Sequence, residues 1–329
     1  MKDAMNILIS LYAAVEPGHP HFFTAAHRAS IRRACGPAAR IVITSDPEKA
    51  ARAAARADVI AGFPFSMPLL EGAKKLRWLH SFSAGVDRIL TPEIARGPVL
   101  VSNSSGIHAT PIAEHIIGFM LIFTRGFWRS FRAQARGAWE RTGAMGELCG
   151  KTVLVAGLGD IGMEAARLAH AFGCRVAAVS RAKKERPVFV DILKTGRALD
   201  ALLPQADFVV IALPHTKETH HLFDAKKFRR MKRSAVLINI GRGGIVNEKD
   251  LIAALQKKTI AGAALDVFEK EPLPSESPLW RMENVVITPH HSGLSEKYMD
   301  RAVERFCLNI KAFRANTRLP NLVDKKRGY

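Results

Sequence analysis

Cysteine, aromatic residues and negative charge are all scarce in this 329-residue chain, and each shortage removes a class of protein. The four cysteines, Cys35, Cys149, Cys174 and Cys307, are scattered and form no CxxC pair. That argues for buried thiols rather than a disulfide framework or a zinc site. Histidines do gather, at His215, His220-His221 and His290-His291, but no HExxH-type helix accompanies them, so no metal is expected. No apolar run approaches the ~20 residues that span a bilayer. The run Ile7 to Val15 has the length of a signal peptide's apolar core, yet Asp3 spoils the basic flank such a segment needs. A buried first strand in a cytoplasmic protein is the expectation.

Only 30 acidic residues face 49 lysines and arginines, a formal charge of +19. The basic clusters (Lys183-Lys184, Arg229-Arg230, Lys232-Arg233, Lys325-Lys326-Arg327) are dispersed, and aromatics available for base stacking make up 7%. A basic surface that concentrates anionic small molecules is the simpler consequence. Neither nucleic acid nor a membrane is expected as a partner.

What the chain has in quantity is short apolar runs alternating with helical stretches. "NILISL", "RIVITS", "DVIAGF", "LRWLHSF" and "VLVSNS" fill the first hundred residues. A second series follows: "TVLVAGLG", "CRVAAVS", "FVVIAL", "AVLINIG", "IAGAALDVF" and "NVVITPH". Strands of this length alternating with helices build parallel sheets from βαβ units, so two doubly wound α/β domains are expected. A long apolar helix from about Pro111 to Thr124 leads from the first series to the second, and "SEKYMDRAVERFCLNIKAF" follows the last strand. If that tail packs back on the first domain, the first domain is discontinuous: 1–102 and 293–329, with 103–292 inserted. "RGFWRSFRAQARGAWE" sets Phe127, Trp128, Phe131 and Trp139 among arginines, a pattern suited to a dimer contact.

"KTVLVAGLGDIG" places Gly157-x-Gly159-x-x-Gly162 between a strand and a helix, the setting a dinucleotide loop requires. Gly157 permits the tight turn, Gly159 the approach of a pyrophosphate, and Gly162 close helix–strand packing. The helix N-terminus offers N–H groups and a positive dipole end to the phosphates. The next strand ends in Ser180-Arg181, where an acid would accept hydrogen bonds from the adenosine ribose. A serine hydroxyl and a guanidinium, with Lys183 and Lys184 behind them, favour a 2′-phosphate instead. NADP(H) is therefore the expected cofactor and NAD(H) the second choice; the competing reading makes Arg181 a plain loop residue.

Arg242, Glu271 and His290 each follow a predicted strand, so they can meet at the strands' carboxyl ends. A 2-oxo acid offers a carboxylate beside a ketone. Arg242 suits either group, His290 can protonate the alkoxide left by hydride addition, and Glu271 can orient the imidazole. In "AGFPFSMP", Phe63, Phe65 and Met67 either wall the crevice for a longer or aromatic substrate or seal the domain core.

The phosphate loop, "LINIGRGGIVNEKDLIAALQ", "IAGAALDVFEKEPLP" and "NVVITPHHSG" together resemble the D-isomer-specific 2-hydroxyacid dehydrogenases, as do "HSFSAGVDRI" and "VSNSSGIHATPIAEHIIGFMLIFTR" upstream. The resemblance implies a Rossmann cofactor domain inserted in a flavodoxin-like substrate domain, and a homodimer formed through the cofactor domain and an arm at about 123–148. It implies Arg242, Glu271 and His290 as the catalytic set, with the N–H groups of Ser83, Ala84 and Gly85 holding the substrate carboxylate. Asp160 and Ile161 would lie in the phosphate loop. Leu213, Pro214 and Thr219 would pass the adenosine side, Ile240 and Gly241 the nicotinamide, with Asp266 near its carboxamide and His290 to Gly293 closing the wall. Ser180-Arg181 departs from NAD-using members and resembles the NADP-using branch, such as glyoxylate/hydroxypyruvate reductases. The implied reaction is reduction of a 2-oxo acid to a D-2-hydroxy acid. A dinucleotide-sensing corepressor and a phosphite dehydrogenase are the alternatives within the resemblance.

Overall fold

The computed structural model describes residues 4–12, 15–86, 89–141, 145–182 and 185–326. The chain divides into two compact units, Met1–His108 with Leu294–Tyr329, and Ala109–Gly293. The first crossing thus falls at 108 rather than 102, and the second at 293 rather than 292. Hydrogen bonds explain the shift: Asn103 N–H donates to Asn321 O, Ser104 N–H to Ser83 O and Ile107 N–H to Ser104 O, holding this stretch in the first unit.

The first unit is built on five parallel strands: β1 (Asn6–Ser10), β2 (Arg40–Thr44), β3 (Val59–Gly62), β4 (Trp78–Ser81) and β5 (Leu100–Ser102), in the order β2-β1-β3-β4-β5. Side chains alternate between its two faces. Ile7, Ile9, Val59, Ala61 and Trp78 pack under Ala25–Cys35 and Tyr298–Arg314, while Leu8, Ile60, Leu79 and Val101 face Pro47–Ala54 and Met67–Gly72. Ala25–Cys35 opens with a capping box in which His27 replaces the usual acid: its N–H donates to Thr24 Oγ1 and its Nδ1 accepts from Thr24 N–H. That tautomer leaves the His27 Nε2 proton for Asp300 at 2.6 Å, which ties this helix to Tyr298–Arg314.

A buried relay crosses the β4–β5 pair, where His80 faces Ser102. Trp78 Nε1 donates to Ser102 Oγ at 2.8 Å, and Ser102 Oγ lies 2.7 Å from His80 Nδ1. On the other side His80 Nε2 lies 3.4 Å from Ser104 Oγ, whose own proton goes to Ser81 O at 3.0 Å. A neutral imidazole with its proton on Nε2 satisfies every direction, Ser102 Oγ donating to Nδ1 and Nε2–H donating to Ser104 Oγ. Burial, and next the charge of Arg305, lower the His80 pKa from 6.5 to about 3.

The unfolded chain therefore binds a proton that the folded chain refuses. The stability this residue contributes is complete above pH 6.5 and drains as pH falls from 6.5 towards 3, by up to about 1.4 kcal/mol per pH unit. His80→Gln is expected to be less stable at neutral pH, with a shallower loss of stability across that window. Urea titrations at successive pH values measure both slopes, and parallel slopes would contradict the assignment.

The second unit holds seven parallel strands: β6 (Thr152–Ala156), β7 (Arg175–Ser180), β8 (Ile192–Thr195), β9 (Phe208–Ile211), β10 (Val236–Asn239), β11 (Gly262–Leu265) and β12 (Val285–Ile287). Their order is β12-β11-β10-β9-β6-β7-β8. Both faces are again apolar, Leu154, Val209 and Leu237 on one and Val153, Val210 and Ile238 on the other, as helix-covered parallel sheets require. The two sheets bear out the expected pair of doubly wound α/β domains. Among the described residues, no helix is long and apolar enough to cross a membrane.

Candidate active site

In a parallel sheet every strand ends at the same edge, so the strand order of the second unit lays out the segments nominated from the sequence in a row. His290 follows β12, Glu271 follows β11, Arg242 follows β10, Leu213 follows β9, the glycine loop follows β6, and Arg181 follows β7. The chain runs β6-β7-β8 in one direction and returns to β9 on the other side of β6. That reversal is the switch point at which open α/β sheets bind ligands.

The glycine loop at this point fits a dinucleotide. Gly157 has φ +103°, and a Cβ there would overlap Ala212 O. A Cβ on Gly162 would overlap Gly157 O, so the helix Asp160–Ala171 can start only this close to β6 with glycine. A Cβ on Gly159 would meet nothing within 4 Å, which leaves open room above the loop. Gly159 caps the helix without a side chain, so the first-turn N–H groups near Asp160 and Ile161 are not consumed by a capping side chain.

Beside the loop, Gly157 N–H donates to Val179 O at 3.0 Å, which holds it against the end of β7. Ser180 is buried and its hydroxyl donates to Ala182 O at 2.6 Å. The direct phosphate contact expected of this hydroxyl therefore gives way to shaping the turn that carries Arg181, which is exposed. Lys184, with Lys183, lies outside the described residues. Opposite, Thr219 Oγ1 accepts from Thr216 N–H and donates to Pro214 O, both at 2.7 Å, closing a compact turn after Leu213. The Glu218 carboxyl in that turn sits below the usual carboxylate range, through the Thr216 hydroxyl and its own backbone first, and through Lys217 and Arg181 after them. Ile240 is buried, and a Cβ on Gly241 would stand 2.8 Å from Leu213 O, so β10 and β9 come close at this edge.

His290 and Glu271 meet directly: Nδ1 lies 2.6 Å from Glu271 Oε2, and Glu271 Oε1 accepts from Phe268 N–H at 3.0 Å. Half of the imidazole remains exposed, at 50%. Arg242 is half-buried on the neighbouring strand end, and its Nη1 donates to Gly241 O at 2.8 Å. His290 adopts a left-handed backbone, φ 51°, with its N–H donating to Asp266 O at 2.9 Å and Thr288 O at 3.1 Å.

Asp266 is 1% exposed and already carries a full set of donors. Thr288 Oγ1, the N–H groups of His291 and Ser292, and the Ser292 hydroxyl all donate to its carboxylate. Its part is therefore to fix the 288–293 turn that presents His290 and Gly293, rather than to reach a carboxamide with a spare oxygen. His115 joins from the helix Ala109–Thr124, with Nε2 3.1 Å from Thr288 Oγ1. His115, Asp266 and His291 place ligand atoms within 4.8 Å of one another, but a cation would have to displace donors from Asp266. Sequence patterns gave no sign of Thr288 or His115 as supports.

In the first unit, Ser83, Ala84 and Gly85 follow β4 at the carboxyl edge of its own sheet. Ser83 N–H already donates to Ser81 Oγ at 3.1 Å, which removes one of the three donors expected there. Phe63 packs on the face of Ile7 and Trp78 and Phe65 on the opposite face with Leu8, while Met67 is exposed; the three form no common wall.

Residues 117–292 match the family model described as D-isomer specific 2-hydroxyacid dehydrogenase, NAD binding domain. The chain belongs to this family. It is 34% identical over 271 residues to the glyoxylate reductase of Korarchaeum cryptofilum, covering 80% of each chain. A D-isomer specific 2-hydroxyacid dehydrogenase family protein from Aeromonas salmonicida has a solved structure that superposes with a TM-score of 0.86 at 33% identity, over 98% of this chain and 100% of that one. An NADPH-dependent glyoxylate/hydroxypyruvate reductase from Sinorhizobium meliloti, solved with NADP and sulfate, gives 0.82 at 29% identity over 99% and 100%. As in this dehydrogenase family generally, the second unit is a nicotinamide-dinucleotide domain.

Proposed function

We propose that the chain is a cytoplasmic, homodimeric reductase that converts a 2-oxo acid to the D-2-hydroxy acid with NADPH. The observation that carries this reading is the His290–Glu271 pair at 2.6 Å, set beside Arg242 at the edge where the glycine loop opens. The reduced nicotinamide, when bound, supplies the hydride. Arg242 binds the substrate carboxylate or carbonyl oxygen with its planar fork of donors. His290 gives its Nε2 proton to the alkoxide oxygen, while Glu271 accepts from Nδ1 and stabilises the imidazolium that must form first. Gly157, Gly159 and Gly162 with the helix start hold the pyrophosphate, and Arg181 pairs with the 2′-phosphate. The glyoxylate reductase and glyoxylate/hydroxypyruvate reductase relatives support a small 2-oxo acid as substrate.

The arm supports self-association. Phe127, Phe131 and Met145 are exposed and Trp139 is 93% exposed, whereas Trp128 has the guanidiniums of Arg129 and Arg132 over its ring at 4.8 and 5.5 Å. Such an apolar surface is uncommon on a monomer. The cysteines are unpaired, as a reducing compartment allows.

The direct test follows NADPH absorbance with glyoxylate, hydroxypyruvate, phenylpyruvate and branched 2-oxo acids; no turnover with any of them removes the reading. For the cofactor, Arg181→Ala is expected to lower kcat/KM for NADPH by about 10- to 150-fold, the scale of a hydrogen bond to a charged group. NADH kinetics should stay within about twofold, since NADH has no 2′-phosphate. A wild-type enzyme that prefers NADH would refute the cofactor assignment and leave the reaction class standing.

A further inference from the structure

The segment after β4 is pinned by hydrogen bonds from its own unit. Ser83 O accepts from Ser104 N–H at 3.2 Å, and Ala84 O accepts from Asn103 Nδ2 at 2.7 Å. In a planar trans peptide, a carbonyl and the N–H of the next residue point in opposite directions. Holding Ser83 O against Ser104 therefore turns the Ala84 N–H away from the 103–104 stretch. Holding Ala84 O against Asn103 turns the Gly85 N–H the same way. Neither N–H has a protein acceptor among the described residues. Ser83 N–H differs, being taken by Ser81 Oγ at 3.1 Å. Two successive N–H groups facing one side form a concavity suited to an anion.

We propose that Asn103 is the positioning residue of the substrate-carboxylate site, and that the site has two backbone donors, Ala84 and Gly85, not three. The proposal rests on the proposed 2-oxo acid reductase activity and on the placement of the substrate carboxylate at this segment that the family resemblance implies. Asn103 is 5% exposed and acts through Ala84. Its amide cannot turn over, because Oδ1 accepts from Ser105 N–H at 3.2 Å while Nδ2 serves Ala84. Its own N–H is bonded to Asn321 O at 3.3 Å, and Asn321 Nδ2 donates to Ser105 Oγ at 2.8 Å, which anchors the support from the chain's last segment.

The test compares wild type with Asn103→Asp and Asn103→Ala, using glyoxylate and NADPH. Both variants are expected to raise KM for glyoxylate by about 10- to 100-fold, the scale of misplacing a charge-assisted contact. The change should fall on substrate binding, with kcat within about threefold and KM for NADPH unchanged. Asn103→Asp keeps the acceptor for Ser105 but loses the donor to Ala84. Once protonated its carboxyl can donate again, so its excess KM over wild type should shrink as pH is lowered, and that of Asn103→Ala should not. A merely structural loss would lower kcat and Tm in both variants with no such recovery.

A wild-type measurement does not depend on either variant folding. With NADP+ bound, oxalate should move the backbone amide resonances of Ala84 and Gly85 and leave that of Ser83 in place. Equal movement at Ser83, or an unchanged glyoxylate KM in both variants, overturns the proposal. Absent turnover with the Ala84 and Gly85 amides still responding would overturn the proposed activity and leave the positioning role standing.

Discussion

Replacing His290 with asparagine is expected to lower kcat for 2-oxo acid reduction by about 10²- to 10⁴-fold, the range supplied by a positioned general acid. Asparagine is the informative substitute because His290 has φ 51°, a left-handed conformation that asparagine tolerates better than most residues. The backbone bonds to Asp266 O and Thr288 O should therefore survive, and the loss will report on proton donation rather than on a collapsed turn. Binding of NADPH should change little, since the glycine loop follows β6, four strands away from β12. Glu271→Gln separates the partner's role. Its amide would donate to Nδ1 where the carboxylate accepts, selecting a neutral tautomer that cannot readily give up the Nε2 proton, the kind of misassignment that cripples triads lacking their acid. Stopped-flow single turnovers isolate the chemical step; a His290→Asn enzyme within tenfold of wild type in that step would exclude His290 as the acid.

Most of the fold was legible because parallel strands buried on both faces leave continuous apolar runs such as "VLVA" and "FVVI". β8 was not. Ile192–Thr195 is an edge strand with two exposed positions, so "ILKT" carries neither a run nor a full alternation. The residues nominated for chemistry were legible for a related reason: Arg242, Glu271 and His290 stand just beyond such runs, and the strand pattern alone places them on one edge. Their supports were hidden. Asn103 is 19 residues from Ala84 in sequence, and His80 meets Ser102 only through the β4–β5 register. Nothing in local composition records which carbonyl a buried amide will hold. Of the two readings of Phe63, Phe65 and Met67, core sealing holds for the phenylalanines and the shared wall does not, because residues two apart in a loop do not inherit the strict alternation of a strand, and the two phenylalanines went to opposite faces.

The glycine loop yields the second large effect, and the contrast between two of its glycines separates packing from binding. Gly162→Ala is expected to destabilise the second unit by about 3 kcal/mol or more, because the new methyl would overlap Gly157 O and only a backbone shift could relieve it. Binding of NADPH would be lost with the displaced helix start, so that variant alone could not say whether the loop touches a cofactor. Gly159→Ala can. Its φ of −82° and ψ of −164° suit alanine, and the added Cβ meets nothing within 4 Å, so Tm should hold within about 2 °C. Yet the methyl occupies the open space through which a pyrophosphate would approach the backbone, and NADPH affinity should fall about tenfold or more. Thermal melts with and without NADPH measure both terms on the same samples: Gly162→Ala should melt early in either condition, and Gly159→Ala should melt normally but lose the cofactor-induced rise. A Gly159→Ala protein that binds NADPH as tightly as wild type would place the dinucleotide elsewhere on the sheet edge, whatever the glycine spacing suggests.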